Sequence, residues 1–177
     1  MDWTTVIDGC RKGDRKCQAE AYRSVWKTVF PALYRLLRDR GEAEDVMQEG
    51  ILRGFDRLRE LQTPDRYPAW QKRICLNMAL NRLRVKKGKL LTLEEISTTE
   101  DHVQVDTDIP EDFNVFAYVD QLPDGYRTIL LLFLMEGYSH EEIGAQLNIS
   151  ASTSRSQYSR ALQKLKSNVL ETYEKQI

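Results

Sequence analysis

The stretch from Tyr138 to Lys166, which reads YSHEEIGAQLNISASTSRSQYSRALQKLK, constrains the fold more than any other part of the chain. Ser139 followed three residues later by Glu142 is a capping box, which predicts that a helix begins there. Asn148 tolerates left-handed backbone and predicts the end of that helix, and Ser150 is suited to cap the next one. The sequence therefore predicts two helices joined by a tight turn, either a DNA-reading helix-turn-helix or an ordinary hairpin with a solvated face.

The second predicted helix has an uneven distribution of polar residues. Hydroxyl, guanidinium and amide side chains crowd its first turns, and its apolar residues Leu162 and Leu165 come later. Such side chains can hydrogen-bond to base edges and phosphates in a major groove. Gly144 and Ala145 of the first helix are small residues that favour a close crossing. This pattern favours DNA reading over the plain hairpin.

Composition limits the class of protein. With 177 residues, 41% hydrophobic and 30% charged, the chain is typical of soluble globular proteins with one large or two small domains. The N-terminus has no apolar core of a signal peptide, and the longest apolar run, Ile129 to Met135, is too short to cross a bilayer. We therefore expect a cytoplasmic protein.

The cysteines and histidines give no sign of a disulfide framework or a metal site. Three cysteines without paired spacing argue against disulfides. His140 and Glu141 begin like a zinc-binding helix, but Gly144 stands where the second histidine would be. We therefore expect no metal, no cofactor and no catalytic residues, and the sequence disfavours a metal-dependent hydrolase.

Charge is segregated along the chain although the net charge is only −1. Residues 1–88 hold 19 Lys and Arg against 12 Asp and Glu, whereas residues 89–121 hold one lysine against nine acids. Residues 122–177 hold six of each sign. Such blocks predict pieces with different roles. We expect a domain over residues 1–88, an acidic flexible linker over 89–112 and a second domain over 113–177.

Helical spacing of apolar residues predicts an all-α fold. Residues 2–24 look helical, with Asp14 as a cap, and the pattern continues to Gly41 with a kink or a new first turn at Pro31. Further helices are predicted from about Glu42 to Leu61 and from Ala69 to about Lys87. In the second half, helices are predicted within residues 113–122 and 126–136, the latter nearly all apolar and ended by Gly137.

The helix after Ala69 ends in a basic cluster. Cations near a helix C-terminus also satisfy the helix dipole, so a solvated helix end is one interpretation. A phosphate-tracking patch is the other, because two asparagines lie one turn apart just upstream and two aromatic residues precede them. The members of the predicted patch are Tyr67, Asn77, Asn81, Arg82, Arg84, Lys86 and Lys87. Trp70 lies nearby, but its apolar partner Ile74 one turn on favours a place in the core over a stacking platform.

Two blocks of the chain together resemble one family. The block AEDVMQEGILRGFDRL followed by YPAWQKRICLNMALNRLRVKK resembles region 2 of bacterial RNA polymerase sigma factors. The block from Leu122 to Lys166 resembles their region 4. The order and spacing resemble the extracytoplasmic-function group of the sigma-70 family. The resemblance covers about two-thirds of the chain and implies a region 2 bundle and a region 4 helix-turn-helix.

The resemblance implies roles for residues of the first domain. Asp45, Gln48, Glu49 and Arg53 would dock on the clamp helices of the polymerase largest subunit. The loop from Gln62 to Pro68 would form the wall of a pocket for an unstacked base of the −10 element. The implied −10 DNA contacts are Tyr67, Asn77, Asn81, Arg82, Arg84, Lys86 and Lys87.

For the second domain the resemblance implies duplex reading at the −35 element. The implied contacts are Ser152, Thr153, Arg155, Ser156, Gln157 and Arg160. The sequence departs from the family's common Val-Lys-Ser-Arg run here, because residues 153–157 read TSRSQ. The implied partners are core RNA polymerase (its clamp and the flap of its second subunit), promoter DNA both duplex and single-stranded, and an anti-sigma factor, with no small-molecule substrate. The alternative is a free-standing helix-turn-helix regulator that binds operator DNA without polymerase.

Overall fold

The chain divides into two compact units, Met1–Gly88 and Lys89–Ile177. The computed structural model describes residues 1–86 and 114–174, apart from the side chains of Lys86, Tyr173 and Glu174. Every regular element within those ranges is helical, which confirms the predicted all-α fold of two helical domains. The predicted acidic linker over 89–112 lies outside the described residues.

Unit 1 is a bundle of four helices. The helices are α1 (Trp3–Arg11), α2 (Arg15–Leu37), α3 (Arg40–Asp56) and α4 (Tyr67–Lys86). Two short 3₁₀ turns, Leu58–Glu60 and Pro64–Arg66, lie in the segment 57–66, which we call the α3–α4 loop.

Aspartate caps set where the first three helices begin. Asp2 accepts from Thr4 N at 3.0 Å, Asp14 from Lys16 N at 2.7 Å, and Asp39 from Glu42 N at 2.9 Å. Each carboxylate satisfies a backbone N–H that has no partner inside the helix and lies at the positive end of the dipole.

The helical character predicted for residues 2–24 is confirmed, with Gly13 at φ +79° turning the chain between α1 and α2. Of the two interpretations of Pro31, the new first turn is wrong, since α2 runs through Pro31 to Leu37. Gly41 does not end the segment: Arg38 takes the left-handed conformation at φ 56°, and Gly41 lies in the first turn of α3. The capping role of Asp14 is confirmed.

The core of unit 1 contains an unusually close contact between α3 and α4. Gly50 and Gly54 lie one turn apart on α3 and face Cys75 and Gln71 of α4. Gln71 is fully buried, and its Nε2 donates to the carbonyl oxygen of Gly50 at 2.8 Å. A methyl group on Gly54 would overlap the Gln71 carboxamide, whose Cδ would lie 2.7 Å away. The two glycines therefore set the distance between α3 and α4.

Unit 2 contains the predicted helix-turn-helix. The helices are α5 (Val115–Val119), α6 (Asp124–Leu130), α7 (His140–Leu147) and α8 (Ala151–Glu174), and a π-helical turn, Leu131–Met135, follows α6. Ile129 and Leu132 are fully buried behind α7 and α8, as the apolar run predicts. Gly137 at φ 68° ends that segment.

The turn between α7 and α8 has the predicted chemistry. Both hydrogen bonds of the Ser139–Glu142 capping box are present, and Asn148 ends α7 at φ 58° and ψ 45°. Gly144 is the close contact: a Cβ there would lie 2.7 Å from the carbonyl oxygen of Ile149. Ala145 was also predicted to allow the close crossing of the two helices, but it is exposed and does not contribute to that crossing.

Candidate nucleic-acid and polymerase interfaces

The outer face of α3 is polar around one exposed leucine. Val46, Met47 and Ile51 turn into the core, which leaves the opposite side of the helix at the surface. Leu52, which was not among the predicted docking residues, is 64% exposed there. Its exposure could have been predicted from the sequence, because Leu52 lies off the apolar stripe of α3 and one turn after Gln48. The face consists of Asp45, Gln48, Glu49, Leu52 and Arg53.

Glu49 connects the predicted polymerase-docking residues of α3 with the predicted −10 DNA contacts of α4. Its Oε1 accepts from Arg53 Nη2 at 2.8 Å, and its Oε2 accepts from Arg82 Nη2 of α4 at 3.0 Å. Glu49 and Arg82 are predicted contacts for polymerase and for −10 DNA, respectively. The predicted docking face and the predicted DNA face are therefore contiguous on unit 1.

The C-terminal part of α4 carries most of the predicted −10 contacts. Asn81 and Arg84 are exposed, and Arg84 Nη2 donates to Asn81 Oδ1 at 2.9 Å. Asn77 and Arg82 are half-buried. The side chain of Lys86 and the whole of Lys87 lie outside the described residues. Asn81 and Arg84 are therefore the exposed members of this set among the described residues.

Tyr67 does not fit its predicted role as a DNA contact. Its side chain is fully buried at the start of α4, and its ring centroid lies 5.2 Å from that of Trp3 and 6.3 Å from that of Trp70. Burial raises the pKa of its hydroxyl, so Tyr67 stays neutral. A side chain with no exposed surface cannot touch a base, and we assign Tyr67 to the packing of α1 on α4.

Replacing Tyr67 with phenylalanine is expected to leave stability unchanged or to raise it by about 1 kcal/mol. Among the described residues its hydroxyl has no hydrogen-bond partner, so its removal abolishes a desolvated polar group. Urea unfolding followed by tryptophan fluorescence checks this. A loss above about 1 kcal/mol would mean that the hydroxyl makes a hydrogen bond that stabilises the native state.

The start of α8 presents a hydroxyl-rich surface with one exposed guanidinium. Ser152, Arg155 and Ser156 are exposed, and Thr153 and Arg160 are half-buried. Ser150 Oγ accepts from Thr153 N at 2.9 Å and lies 2.7 Å from Ser152 Oγ. The predicted cap is thus present, and it orders the hydroxyl groups of the first turn.

Gln157 is the second predicted DNA contact that the structure places in the core. It is 1% exposed, and it follows Ser154 and precedes Ala161 on the buried side of α8. These three residues repeat at spacings of three and four, which is the signature of one helix face. We therefore remove Gln157 from the surface set.

Arg155 is held by the preceding helix. Its Nη1 donates to Glu141 Oε1 at 3.1 Å, although both side chains are more than half exposed. The backbone N–H of Glu141, and then the hydrogen bond from Arg155, hold the pKa of Glu141 below its ordinary value of 4.5. Glu141 is therefore ionised at neutral pH and sets the direction in which Arg155 points.

His140 supports the same corner of the turn without adding charge. Its Nδ1 lies 2.9 Å from Ser154 Oγ, and its ring stacks on Phe133 with centroids 4.4 Å apart. Burial, and then the charge of Arg155, lower the pKa of His140 below its ordinary value of 6.5. At neutral pH His140 is neutral, so at this corner Arg155 supplies the positive charge.

Two other kinds of feature, a metal site and a membrane-spanning helix, are not found among the described residues. No group of three or more His, Cys, Asp or Glu side chains among the described residues is placed to hold a metal ion. None of the described helices combines the length and the apolar character needed to span a membrane.

Comparison with known proteins matches both units to one family. The model described as "Sigma-70 region 2" matches residues 21–88, and the one described as "Sigma-70, region 4" matches residues 113–165, together about two-thirds of the chain. The ECF RNA polymerase sigma factor SigW of Bacillus subtilis is 28% identical, over 90% of this chain and 92% of its own. RNA polymerase sigma factor SigV of the same organism is 30% identical, over 73% of this chain and 79% of its own.

Solved structures show the same fold. The sigma factor RpoE, crystallised with the anti-sigma factor NepR from Bartonella quintana, superposes with a TM-score of 0.52 at 16% identity, covering 84% of this chain and 94% of that one. CnrH, in complex with the cytosolic domain of CnrY, gives 0.51 at 19% identity, covering 95% and 96%.

Two helical units of these kinds, in this order, define a promoter-specificity subunit of bacterial RNA polymerase. The chain belongs to the sigma-70 family, in the extracytoplasmic-function group, and it directs transcription initiation. The alternative of a free-standing operator-binding regulator is not favoured, since it gives no reason for the region 2 match over residues 21–88. The sigma factors of this family are not catalytic enzymes.

Proposed function

We propose that the two units divide promoter recognition between them. Unit 2 positions the holoenzyme on the duplex −35 element, while unit 1 docks on the polymerase and opens and captures the −10 element. The observation that carries this proposal is the exposed first turn of α8, where Ser152, Arg155 and Ser156 stand clear of the core on a helix-turn-helix. A recognition helix enters the major groove by this end.

The outer face of α3 supports the docking half of the proposal. An exposed leucine within acidic, amide and guanidinium side chains resembles the apolar centre and polar rim of a protein interface. Its partner would be the clamp helices of the polymerase largest subunit. The flap of the second subunit would contact unit 2.

The C-terminal end of α4 supports the part of the proposal in which unit 1 opens and captures the −10 element. Asn81 and Arg84 offer amide and guanidinium donors to the phosphates and base edges of a single strand. The α3–α4 loop exposes Gln62 and Thr63, which would line the pocket for the extruded base. Extrusion costs a few kcal/mol, which phosphate contacts and the pocket offset.

Further partners follow from the family. The structures of RpoE and CnrH were each solved in complex with a second protein, named for RpoE as an anti-sigma factor. An anti-sigma factor that covers the α3 or α8 surface is the regulator we propose here. The protein would act in the cytoplasm, where it would have no catalytic residues, cofactor or small-molecule substrate of its own.

Run-off transcription with core polymerase on a randomised promoter library tests this proposal. Selected templates should share two short sequence blocks at a fixed spacing, one for each unit. A single shared block, or tight specific binding to the selected DNA by the chain without polymerase, would contradict it.

Glu141→Gln should raise the affinity of the holoenzyme for DNA about three-fold at low salt and reduce its preference for the selected upstream block. The change removes a carboxylate from the proposed DNA face and frees Arg155 to meet any phosphate. Filter binding at several salt concentrations checks this. Weaker binding to all sequences would contradict a masking and aiming role for Glu141.

A further inference from the structure

Helix α1 lies outside the matched region 2 segment, which begins at residue 21, yet it contacts the loop proposed to hold the extruded base. Val6, Ile7 and Cys10 bury one side of α1 in the bundle. At its C-terminal end, the Arg11 side chain extends to a part of the chain almost fifty residues away. Neither the family match nor the sequence pattern assigns a role to this arginine.

The Arg11 guanidinium holds the backbone of the α3–α4 loop at two points. Its Nη2 donates to the carbonyl oxygen of Leu61 at 2.8 Å and to that of Leu58 at 3.2 Å, and its Nε also donates to Leu58 at 3.4 Å. Its Nη1 pairs with Asp8 Oδ1 at 3.1 Å, and this ion pair helps to fix the orientation of the guanidinium group. Hydrogen bonds from a guanidinium are charge-assisted and directional.

The two carbonyl groups lie where the loop changes direction. Leu58 begins the first 3₁₀ turn and Leu61 immediately follows it, and both side chains are buried. The next two residues, Gln62 and Thr63, are exposed. The contact of Trp3 with Tyr67 holds the other end of the loop, at the start of α4. Helix α1 therefore braces the segment on both sides of its exposed residues.

We propose that Arg11 is a positioning residue for promoter opening. By tying Leu58 and Leu61 to α1, it holds the loop in one conformation before DNA arrives, so that Gln62 and Thr63 meet the extruded base without a further ordering step. A loop that is ordered in advance loses less conformational freedom on capture. This inference rests on the proposed function, in which this loop lines the −10 pocket.

The test compares Arg11→Gln with the unaltered chain, each assembled with core polymerase on a promoter from the library selection. The rate of open-complex formation on fully duplex DNA should fall about ten-fold, because charge-assisted bonds to two carbonyls are lost. On the same promoter with a pre-melted −10 segment, the two proteins should differ by less than about two-fold. In the holoenzyme, hydrogen exchange should become faster in residues 58–63, with α2 and α3 unchanged.

Arg40→Gln is the matched control, because it removes an equally charged side chain of unit 1 whose ion pair within the described residues lies on its own helix, with Glu44 at 2.9 Å. It should open duplex DNA at the normal rate. Equal losses for Arg11→Gln on duplex and pre-melted templates, or faster exchange throughout unit 1, would overturn the proposal, and so would an unchanged opening rate. If the unaltered holoenzyme failed to open its duplex promoter, the proposed function itself would be wrong.

Discussion

Replacing Gly54 with alanine is expected to lower the free energy of unfolding of unit 1 by about 3 kcal/mol. The new methyl group would overlap the buried carboxamide of Gln71, which has no room to move without giving up its hydrogen bond to Gly50. Overpacking and a broken buried hydrogen bond therefore add together. This effect opposes the usual preference of helices for alanine over glycine, about 1 kcal/mol.

The chain offers a clean way to measure this. All three tryptophans, Trp3, Trp26 and Trp70, lie in unit 1, so tryptophan fluorescence during urea unfolding reports that unit alone. Gly41→Ala on the same helix is the control, because among the described residues its methyl group would meet only Asp39 Oδ1, at 3.4 Å. We expect Gly41→Ala to be neutral or stabilising. Equal effects of the two substitutions would show that the contact of Gly54 with Gln71 does not set the helix spacing.

Replacing Leu52 with aspartate is expected to weaken binding to core polymerase at least about ten-fold without changing stability. The side chain is 64% exposed in the free protein, so its loss removes little packing, but it lies at the centre of the proposed docking face. Val85→Asp is the matched control, since Val85 is 81% exposed on α4. Affinity is measured by fluorescence anisotropy with labelled chain and core polymerase, without DNA.

The same assay applies to the polar part of the docking face. Combined replacement of Asp45, Gln48 and Glu49 by alanine should also weaken core binding. The triple variant is harder to interpret than Leu52→Asp, because Glu49 also forms an ion pair with Arg82 of α4. Unchanged affinity in both the Leu52 variant and the triple variant would contradict the clamp assignment.

Local chemistry made the helix-turn-helix predictable from sequence. A capping box and an asparagine suited to left-handed backbone act over a few residues, so Ser139, Glu142 and Asn148 could be assigned without knowing the tertiary structure. The division into two helical units followed in the same way from apolar spacing and charge.

The wrong predictions concern residues whose exposure or conformation depends on tertiary packing. The aromatic ring of Tyr67 and the amide of Gln157 suggested surface contacts, but each side chain lies on the buried face of its helix. For Gln157 the spacing of Ser154 and Ala161 could have indicated this burial. For Tyr67 the partner is Trp3, more than sixty residues away, which no local pattern gives. Arg38 in the left-handed conformation and the reach of Arg11 to Leu61 were equally beyond local rules.

The division of labour between the units is the central claim, and transcription with and without the upstream element tests it most directly. Pre-melted templates keep activity measurable when that element is replaced. Arg155→Ala should reduce transcription at least about ten-fold when the upstream element is present and have no effect when it is absent. Arg84→Gln should reduce transcription on both templates, because Arg84 is a proposed contact to the single strand. If Arg155→Ala lost the same activity on both templates, the account of two separate contacts would be contradicted.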